Sequence, residues 1–452
     1  MASLPPSLSS ILFLTLALIL MSASPAFSSS RKSLDDHHDL PIKTGFKLTL
    51  TSVDSGENFT TIERLHRQMK RGRHRLEKLS ERILTSEHPI RSMVYPGQGE
   101  FLMNLSIGTP PQPYYAIMDT GSDLVWTQCQ PCIQCFPQPT PLYDPMKSSS
   151  FSEVPCSSNL CKALPISNCS NANGCEYLYI YGDGDSTSGV LGTETFTFEE
   201  VSVPNIGFGC GEINTGDKGN GAGLVGLGRG ALSLVSQLDE PKFSYCLTYF
   251  NGTKPSTLLM GSQASSVNCP SSSREMKNTP LIKNPVIPTF YYLSLKGITV
   301  GSTRLPINET TFALHENGTG GVFIDSGTSI THLVESAFSL VKEEFISQVN
   351  LPTVNATDSP WLDGLDLCFQ LPSGSVSVDI PSLVFHFQDA DLDLPKENYM
   401  ITDSSVGVMC LAMGKSSDGS SVFGNIQQQN ILVVYDLSKE TVSFMPTECD
   451  QC

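Results

Sequence analysis

Short runs of alternating apolar and polar residues, separated by Gly, Ser, Asn and Pro, fill the chain from about residue 93 to its end. Alternation with β-branched and aromatic residues predicts β-strands, and the small polar residues between the runs predict turns. Helical spacing is clearest over 334–349, and a shorter helix is predicted over Leu232–Leu238. The pattern therefore predicts a mostly β body with few short helices. The clearest predicted strands cover 101–108, 177–182, 195–198, 290–300 and 430–436.

Two of the apolar runs end in the same short motif. Residues 115–122 read Y-A-I-M-D-T-G-S, and residues 321–328 read G-V-F-I-D-S-G-T. A carboxylate at the end of an apolar strand is costly unless its surroundings serve it. The repeat therefore predicts a duplicated fold that brings Asp119 and Asp325 together.

A second pattern repeats behind each motif. G-L-V-G at 223–226 and V-F-G at 422–424 each follow one of the two aspartates by about 100 residues. An apolar pair closing on Gly lets a strand pass tightly behind an active loop. The double match strengthens the prediction of two related halves.

The first 90 residues differ from the body. An apolar run over 11–20, followed by small residues, predicts a signal peptide over 1–28. A buried helix and a membrane anchor are the alternative readings, although the run is short for a membrane span.

Charge separates the next segment, 29–90, from the rest of the chain. Residues 29–92 hold 13 of the 28 Lys and Arg but only 9 of the 45 Asp and Glu. A basic helix is predicted over 61–83; a solvated helix or a nucleic-acid patch is the plain alternative. We interpret 29–90 as a propeptide held electrostatically across an acidic cleft.

The 14 cysteines leave two readings open. Cys129, Cys132 and Cys135 have a spacing that suits either a metal site or disulfides. The predicted secretion favours disulfides, so we expect neither a metal nor another cofactor. Asn-x-Ser/Thr sequons agree with a secreted chain. Glycosylation is expected at Asn251, Asn308, Asn317 and Asn355.

Paired carboxylates indicate general acid–base chemistry. Two carboxylates that share a site cannot both ionise easily, so one can take a proton from water while the other donates one to a carbonyl. Gly121 and Gly327 allow close approach of the backbone. Thr120 and Ser326 can bond across the two loops. Ser122 and Thr328 can orient the carboxylates.

The chain resembles pepsin-type aspartic proteases and, more closely, the nepenthesin group of plant aspartic proteases. The stretches that carry the resemblance are 102–110, 119–132, 181–184, 208–211, 221–230, 324–328 and 423–430. The resemblance implies a bilobal β fold with a central cleft and one catalytic aspartate in each lobe, and we place the lobes over 91–270 and 271–452. The Ser-rich composition of 261–280 predicts a linker between them. It also implies a hairpin flap carrying Tyr181 and Gly182, with Trp126 supporting the tyrosine.

The same resemblance implies six disulfides. The implied pairs are Cys129–Cys132, Cys135–Cys210, Cys156–Cys175, Cys161–Cys169, Cys246–Cys449 and Cys368–Cys410. Cys269 and Cys452 fall outside this set, and the sequence leaves open whether they pair or remain free.

The sequence is therefore interpreted as a secreted zymogen of an aspartic endopeptidase that hydrolyses peptide bonds at acidic pH. The alternative is a non-catalytic inhibitor or binding protein on the same fold. Expected partners are protein substrates and the chain's own propeptide, with no nucleic acid and no membrane, and the protein is expected to be a monomer. The apoplast is the expected location, and the vacuole remains open.

Overall fold

The structure is a computed structural model. It describes residues 45–55, 58–70, 101–181, 184–216, 218–252, 254–265, 269, 275–354, 362, 364–372, 378–416 and 419–452. The predicted signal peptide, Gly182 and Asn355 lie outside the described residues, as does part of the predicted propeptide.

The body is mostly β, which confirms the predicted fold class. Apolar side chains alternate with polar ones along most strands, so one face of each strand can enter the core. The strands are β1 (Lys47–Ser52), β2 (Phe101–Ile107), β3 (Gln112–Asp119), β4 (Trp126–Gln128), β5 (Ser152–Glu153), β6 (Ser167–Cys169), β7 (Cys175–Ile180), β8 (Ser186–Phe198), β9 (Val201–Asn214), β10 (Gly223–Gly226), β11 (Lys242–Cys246), β12 (Ser256–Met260), β13 (Lys277–Ile282), β14 (Tyr291–Leu293), β15 (Leu295–Val300), β16 (Thr303–Arg304), β17 (Val322–Ile324), β18 (Thr331–Val334), β19 (Thr353–Val354), β20 (Cys368–Gln370), β21 (Leu383–Phe387), β22 (Ala390–Asp393), β23 (Met400–Asp403), β24 (Val408–Leu411), β25 (Met413–Ser416), β26 (Ser421–Phe423), β27 (Ile431–Asp436) and β28 (Thr441–Pro446).

Helices are short and are placed largely where the sequence predicts them. The α-helices of the described chain are α1 (61–70), α2 (Asn159–Ala163), α3 (Leu234–Gln237) and α4 (Glu335–Gln348). Along α4, Phe338, Val341 and Phe345 are buried, as their spacing predicts. Short 3-10 helices cover Pro145–Lys147, Gly261–Ser265, Glu309–Phe312, Lys396–Asn398, Ile426–Gln428 and Cys449–Gln451.

The repeated sequence pattern corresponds to a repeated arrangement of strands. β10 runs parallel to β3 and antiparallel to β4, and its Gly226 lies beside Asp119. β26 has the same relation to β17 and β18, and its Phe423 lies beside Ile324, the residue before Asp325. A Cβ on Gly226 would come within 2.3 Å of backbone in the adjacent loop, so this close approach requires glycine.

A six-stranded antiparallel sheet joins chain from both predicted halves. Its strands pair in the order β1, β12, β11, β27, β28 and β13. The linker predicted over 261–280 includes regular structure near both of its ends. Gly261–Ser265 forms a 3-10 helix, and Lys277 already begins β13, because the alternating residues there pair with β28.

Four of the expected cysteine pairings are wrong, and the first two lie beside β4. The structure joins Cys129 to Cys210 and Cys132 to Cys135, instead of Cys129 to Cys132 and Cys135 to Cys210. The reason is the parallel pairing of β4 with β9. The Cys129 N–H donates to Gly211 O at 2.9 Å, which places Cys129 next to Cys210.

The other two corrections lie in the segment 156–175, which the resemblance implies is a Cys-rich insertion in the first lobe, with four cysteines in twenty residues. The expected pairs Cys156–Cys175 and Cys161–Cys169 are replaced by Cys156–Cys169 and Cys161–Cys175. Burial explains the exchange. Cys161 on α2 and Cys175 on β7 are both 1% exposed, whereas Cys156 and Cys169 lie nearer the surface.

The remaining cysteines lie on β11, at position 269 and in the C-terminal half. The structure contains Cys246–Cys449 and Cys368–Cys410, as the resemblance implies, and it also joins Cys269 to Cys452. The sulfur atoms of Cys246 and Cys452 are 3.5 Å apart, so two disulfides lie side by side. Cys246, Cys269 and Cys452 also have the spacing of a metal site, but each sulfur is already in a disulfide.

The described part of the predicted propeptide packs against the body. β1 pairs with both β12 and β2. Ile62, Leu65 and Met69 of α1 are buried in a cluster with apolar residues of the C-terminal half, including Ile330 and Ile426. The apolar side of this helix is therefore its packing face. Within the described ranges, no helix combines the length and apolar character needed to cross a bilayer.

Candidate active site

Asp119 ends β3 and Asp325 directly follows β17, and the residues directly after the two aspartates bind each other. The Thr120 N–H donates to Ser326 Oγ at 3.1 Å, and the Ser326 N–H donates to Thr120 Oγ1 at 2.8 Å. Ser326 Oγ also donates to Met118 O at 3.2 Å. These reciprocal bonds, between residues 206 apart in sequence, bring the two aspartate loops together.

Each catalytic candidate is fully buried and receives a hydrogen bond from its own loop. The Gly121 N–H donates to Asp119 Oδ1 at 3.0 Å, and the Gly327 N–H donates to Asp325 Oδ1 at 2.8 Å. Both glycines therefore fix one carboxylate oxygen, leaving the second oxygen of each aspartate for other partners.

The hydroxyl residues that follow are not equivalent. Thr328 Oγ1 donates to Asp325 Oδ2 at 2.7 Å, which is the orienting contact that the sequence predicts. Ser122 Oγ is buried and has no hydrogen-bond partner among the described residues. Only one of the two predicted orienting hydroxyls thus makes its contact in this structure.

A buried polar network beneath the loops was missed by the sequence analysis. Gln428 Nε2 donates to the backbone oxygen of Asp325 at 3.2 Å, and Tyr245 donates its hydroxyl proton to Gln428 Oε1. The hydroxyls of Tyr245 and Tyr435 are 3.0 Å apart, and Tyr435 also bonds the side chain of Thr120. Burial raises the pKa of both phenols, so both remain neutral donors.

The sequence contains a feature that indicates this polar network, a run of three glutamines. The run Q-Q-Q at 427–429 lies directly behind the second apolar-apolar-Gly motif, and three consecutive buried glutamines are unusual in a core. A buried amide needs hydrogen-bond partners, so the run indicates a polar network near the active loop.

The β7–β8 hairpin places Tyr181 at its tip, as expected for the flap. The Tyr181 N–H donates to Asp185 O at 2.8 Å, and the Gly184 N–H donates to Tyr181 O at 3.0 Å. The ring of Tyr181 is buried, with its centroid 6.2 Å from that of Trp126 and 5.0 Å from that of Tyr179. Trp126 therefore contacts the flap tyrosine from inside the lobe.

A buried lysine beside the flap is a second feature that the sequence analysis missed. Lys218 forms an ion pair with Asp185, and its side chain is 1% exposed. Its ammonium nitrogen lies 5.9 Å from the ring centroid of Tyr181. A desolvated cation held between a carboxylate and an aromatic ring fixes the tip of the hairpin.

Three of the four asparagines at which glycosylation is expected lie within the described residues, and all three are exposed. These are Asn251, Asn308 and Asn317. In two of the sequons the asparagine side chain holds the local turn, since Asn308 Oδ1 accepts from the Thr310 N–H and Asn317 Oδ1 accepts from the Thr319 N–H. These contacts use the oxygen and not the amide nitrogen to which a sugar would be attached.

Comparison with known proteins agrees with the site. A family model described as "Xylanase inhibitor N-terminal" matches residues 101–262, and "Xylanase inhibitor C-terminal" matches residues 290–446. Two solved structures share the fold at low identity: edgp (TM-score 0.62, 21% identity, 81% of this chain and 98% of that one) and basic 7S globulin from soybean (TM-score 0.61, 20% identity, 79% and 96%).

Several protein sequences are much more similar to this chain than those two solved structures are. The chain is 55% identical to aspartic proteinase nepenthesin-1 of Nepenthes gracilis and 49% identical to nepenthesin-2 of the same plant, each over 96% of this chain and 97% of the relative. It is 41% identical to aspartyl protease family protein 2 of Arabidopsis thaliana over 78% of this chain and 72% of that protein. With both aspartate motifs intact and interlocked, the chain belongs to the nepenthesin group of plant pepsin-like aspartic proteinases.

Proposed function

We propose that this protein is an aspartic endopeptidase, made as a secreted zymogen, that hydrolyses peptide bonds in protein substrates at acidic pH. The observation that carries the proposal is the pair of reciprocal hydrogen bonds between Thr120 and Ser326. These bonds hold two buried aspartates, each at the end of an equivalent strand, in adjoining loops.

The geometry supports a mechanism in which water is the nucleophile. Of two neighbouring carboxyl groups, one keeps its proton more readily than the other. The ionised group removes a proton from water as the water attacks the scissile carbonyl, and the protonated group donates its proton to the carbonyl oxygen. The chain's own groups suffice for this step, with Gly121, Gly327 and Thr328 holding the carboxylates in place.

Latency is supported by the segment that precedes the body. Ser329 Oγ, in the loop of Asp325, donates to the backbone oxygen of Gln68 at 3.1 Å. The Ile62 N–H donates to Asp403 Oδ2 at 2.9 Å. These bonds and the apolar face of α1 hold residues 58–70 beside the second active loop, so cleavage of the propeptide would release the enzyme.

Acid release of this segment follows from Asp403. Burial acts to raise the pKa of its carboxyl group, but hydrogen bonds from Ser405, Ile62 and Thr60 outweigh burial and lower it. A carboxyl group with a lowered pKa stabilises the folded zymogen above its ordinary pKa, and the contribution is lost as the pH falls through the lowered value. Acidification therefore weakens the contact with Ile62.

A second candidate is a non-catalytic inhibitor or binding protein on the same fold, because the matching family models carry inhibitor names. Such a protein has no need for two interlocked aspartates with fixed carboxylate oxygens. The catalytic proposal accounts for these features, and the inhibitor alternative does not.

The test is proteolysis by the full-length chain after acid activation. Fluorescently labelled casein near pH 3 should be cleaved, and a statine-containing peptide, which mimics the tetrahedral transition state, should block cleavage. Asp119→Asn and Asp325→Asn should each abolish cleavage, whereas Asp379→Asn, on an exposed residue, should not. Cleavage that survives Asp119→Asn would refute the mechanism.

A further inference from the structure

Asp123 lies directly after the D-T-G-S motif and is buried, with 5% of its surface exposed. Its two carboxylate oxygens bind different parts of the molecule. The Gly230 N–H donates to Oδ1 at 2.8 Å, and Thr289 Oγ1 donates to Oδ2 at 2.8 Å. Thr289 itself is 1% exposed, so the bridge between the two residues is shielded from water.

The first partner belongs to a loop that also binds both ends of the Asp119 turn. Along residues 227–230, the Leu227 N–H donates to Asp119 O at 2.8 Å and the Gly228 N–H donates to Ser122 O at 2.7 Å. A Cβ on Gly228 would lie 2.4 Å from an oxygen of Asp123. The carboxyl group of Asp123 thus fills a space that the glycines of this loop leave open.

The second partner leads to the other catalytic aspartate. Thr289 lies two residues before Tyr291, the first residue of β14, and Tyr291 pairs with Ile324 across the β14–β17 ladder. Ile324 directly precedes Asp325. Two further bonds join the same regions, since the Arg229 N–H donates to Thr289 O at 3.0 Å and Tyr291 donates to Leu227 O at 2.6 Å.

We propose that Asp123 is a positioning residue for peptide-bond hydrolysis. Its carboxyl group ties the loop of Asp119 to the strand pair that carries Asp325, and so holds the two catalytic carboxyl groups at a fixed separation. This inference rests on the proposed proteolytic function and adds a second coupling between the loops, distinct from the Thr120–Ser326 bonds.

The surroundings favour the neutral acid at the pH of catalysis. Burial raises the pKa of Asp123 to about 6, and the bonds from Gly230 and Thr289 oppose the rise without cancelling it. The nearby titratable groups are the buried phenol of Tyr179, whose own pKa is raised by burial and by Asp123, and Asp119. On protonation the bond from Gly230 is kept, whereas the bond with Thr289 reverses, so that the neutral carboxyl group donates to Thr289 Oγ1. An Asn side chain can likewise accept from Gly230 and donate to Thr289.

The test compares kcat, KM and the pH–rate profile of the acid-activated full-length enzyme across four variants. Asp123→Ala and Thr289→Val each remove one end of the bridge and should lower kcat by about tenfold or more with little change in KM, as expected when an interaction acts in the transition state. The two limbs of the pH–rate profile should also shift, because they report the coupling between the catalytic carboxyl groups. Asp123→Asn should restore most of the loss.

Glu194→Gln is the matched control. Glu194 is also a buried carboxyl group of the first half, but it binds Tyr143 and Ser150 and has no bond to the active loops. Glu194→Gln should leave kcat unchanged. The proposal is overturned if Asp123→Ala has the kcat and the pH–rate profile of the wild type and differs from it only by a lower melting temperature. If Asp123→Ala does not fold, Thr289→Val decides by the same criteria.

The same assay separates two kinds of failure. If the wild-type enzyme cleaves casein and Asp119→Asn does not, the proteolytic function stands and the Asp123 variants judge the positioning role alone. If the wild-type enzyme cleaves nothing after acid activation, the proposed function fails and the positioning role falls with it.

Discussion

In the loops 119–123 and 325–329, a glycine N–H donates to one oxygen of the catalytic aspartate, from Gly121 at 3.0 Å and from Gly327 at 2.8 Å. The loops differ from the fourth residue onward, and their fifth residues bind different parts of the molecule. The fifth residue of the first loop, Asp123, binds Gly230 and Thr289 inside the molecule, whereas that of the second loop, Ser329, binds the backbone of the predicted propeptide.

This difference shows how a duplicated motif acquires separate duties. The first three residues of each loop make matching contacts in the two halves. The residues that follow adapt each loop to its neighbours. The first loop contributes to the joint between the two catalytic strands, and the second loop contributes to the binding surface for residues 58–70.

The largest expected effect concerns the charge in the first loop. The pKa of Asp123 is about 6 against an ordinary 3.8, so its contribution to stability is full below the ordinary value and is lost as the pH rises through 6. Wild-type protein should lose about 2 kcal/mol from this group between pH 4 and pH 7. The Asp123→Asn variant should not lose this stability. Urea unfolding at both pH values measures the free energy of unfolding of each protein.

Ser329→Ala serves as the comparison from the second loop and should keep the wild-type pH dependence. An equal pH dependence in wild-type and Asp123→Asn proteins would show that Asp123 is not neutral in the folded state at acidic pH.

The next effect concerns the fourth residue of each loop. Thr328→Val removes a hydrogen bond to a catalytic carboxylate, which is worth about 1.5–3 kcal/mol, so kcat should fall by roughly tenfold or more. Ser122→Ala removes a hydroxyl without a partner among the described residues and should change kcat by less than about threefold. Steady-state kinetics on a labelled peptide measures both, and equal losses would mean that the two hydroxyls are equivalent during catalysis.

The smallest effect concerns the contact between the second loop and the propeptide. Ser329→Ala removes one neutral hydrogen bond, worth about 1 kcal/mol, so acid activation of the zymogen should be up to about fivefold faster. The measurement is the rate at which activity appears at acidic pH, normalised to final activity. Ser382→Ala, which removes a hydroxyl bond to Gly301 O on another surface, should activate at the wild-type rate.

The sequence predicts the shared part of the site well because that part is local and repeated. The motif around Asp119 recurs around Asp325, and each apolar-apolar-Gly segment indicates the strand that passes behind it. The β class and the helix over Glu335–Gln348 follow from periodicity alone. These features depend on neighbours in sequence, or on a pattern that occurs twice.

The parts that could not be predicted depend on pairings between distant segments. Cys129 lies next to Cys210 only because β4 and β9 run parallel, and nothing in the local spacing indicates that. Asp123 reads as an ordinary polar residue in a turn until Thr289, 166 residues later, is placed against it. Gln428 likewise acquires its role only when Tyr245 is brought below the second loop.

The neighbouring disulfides Cys246–Cys449 and Cys269–Cys452 close covalent rings that span 203 and 183 residues. An endopeptidase can be cut in its own surface loops by other copies of itself. A single cut anywhere between residues 270 and 448 leaves the two fragments joined through both bridges. On a denaturing gel, the cut enzyme would therefore migrate as an intact chain until its disulfides are reduced. Its two catalytic aspartates would stay in one covalently linked molecule.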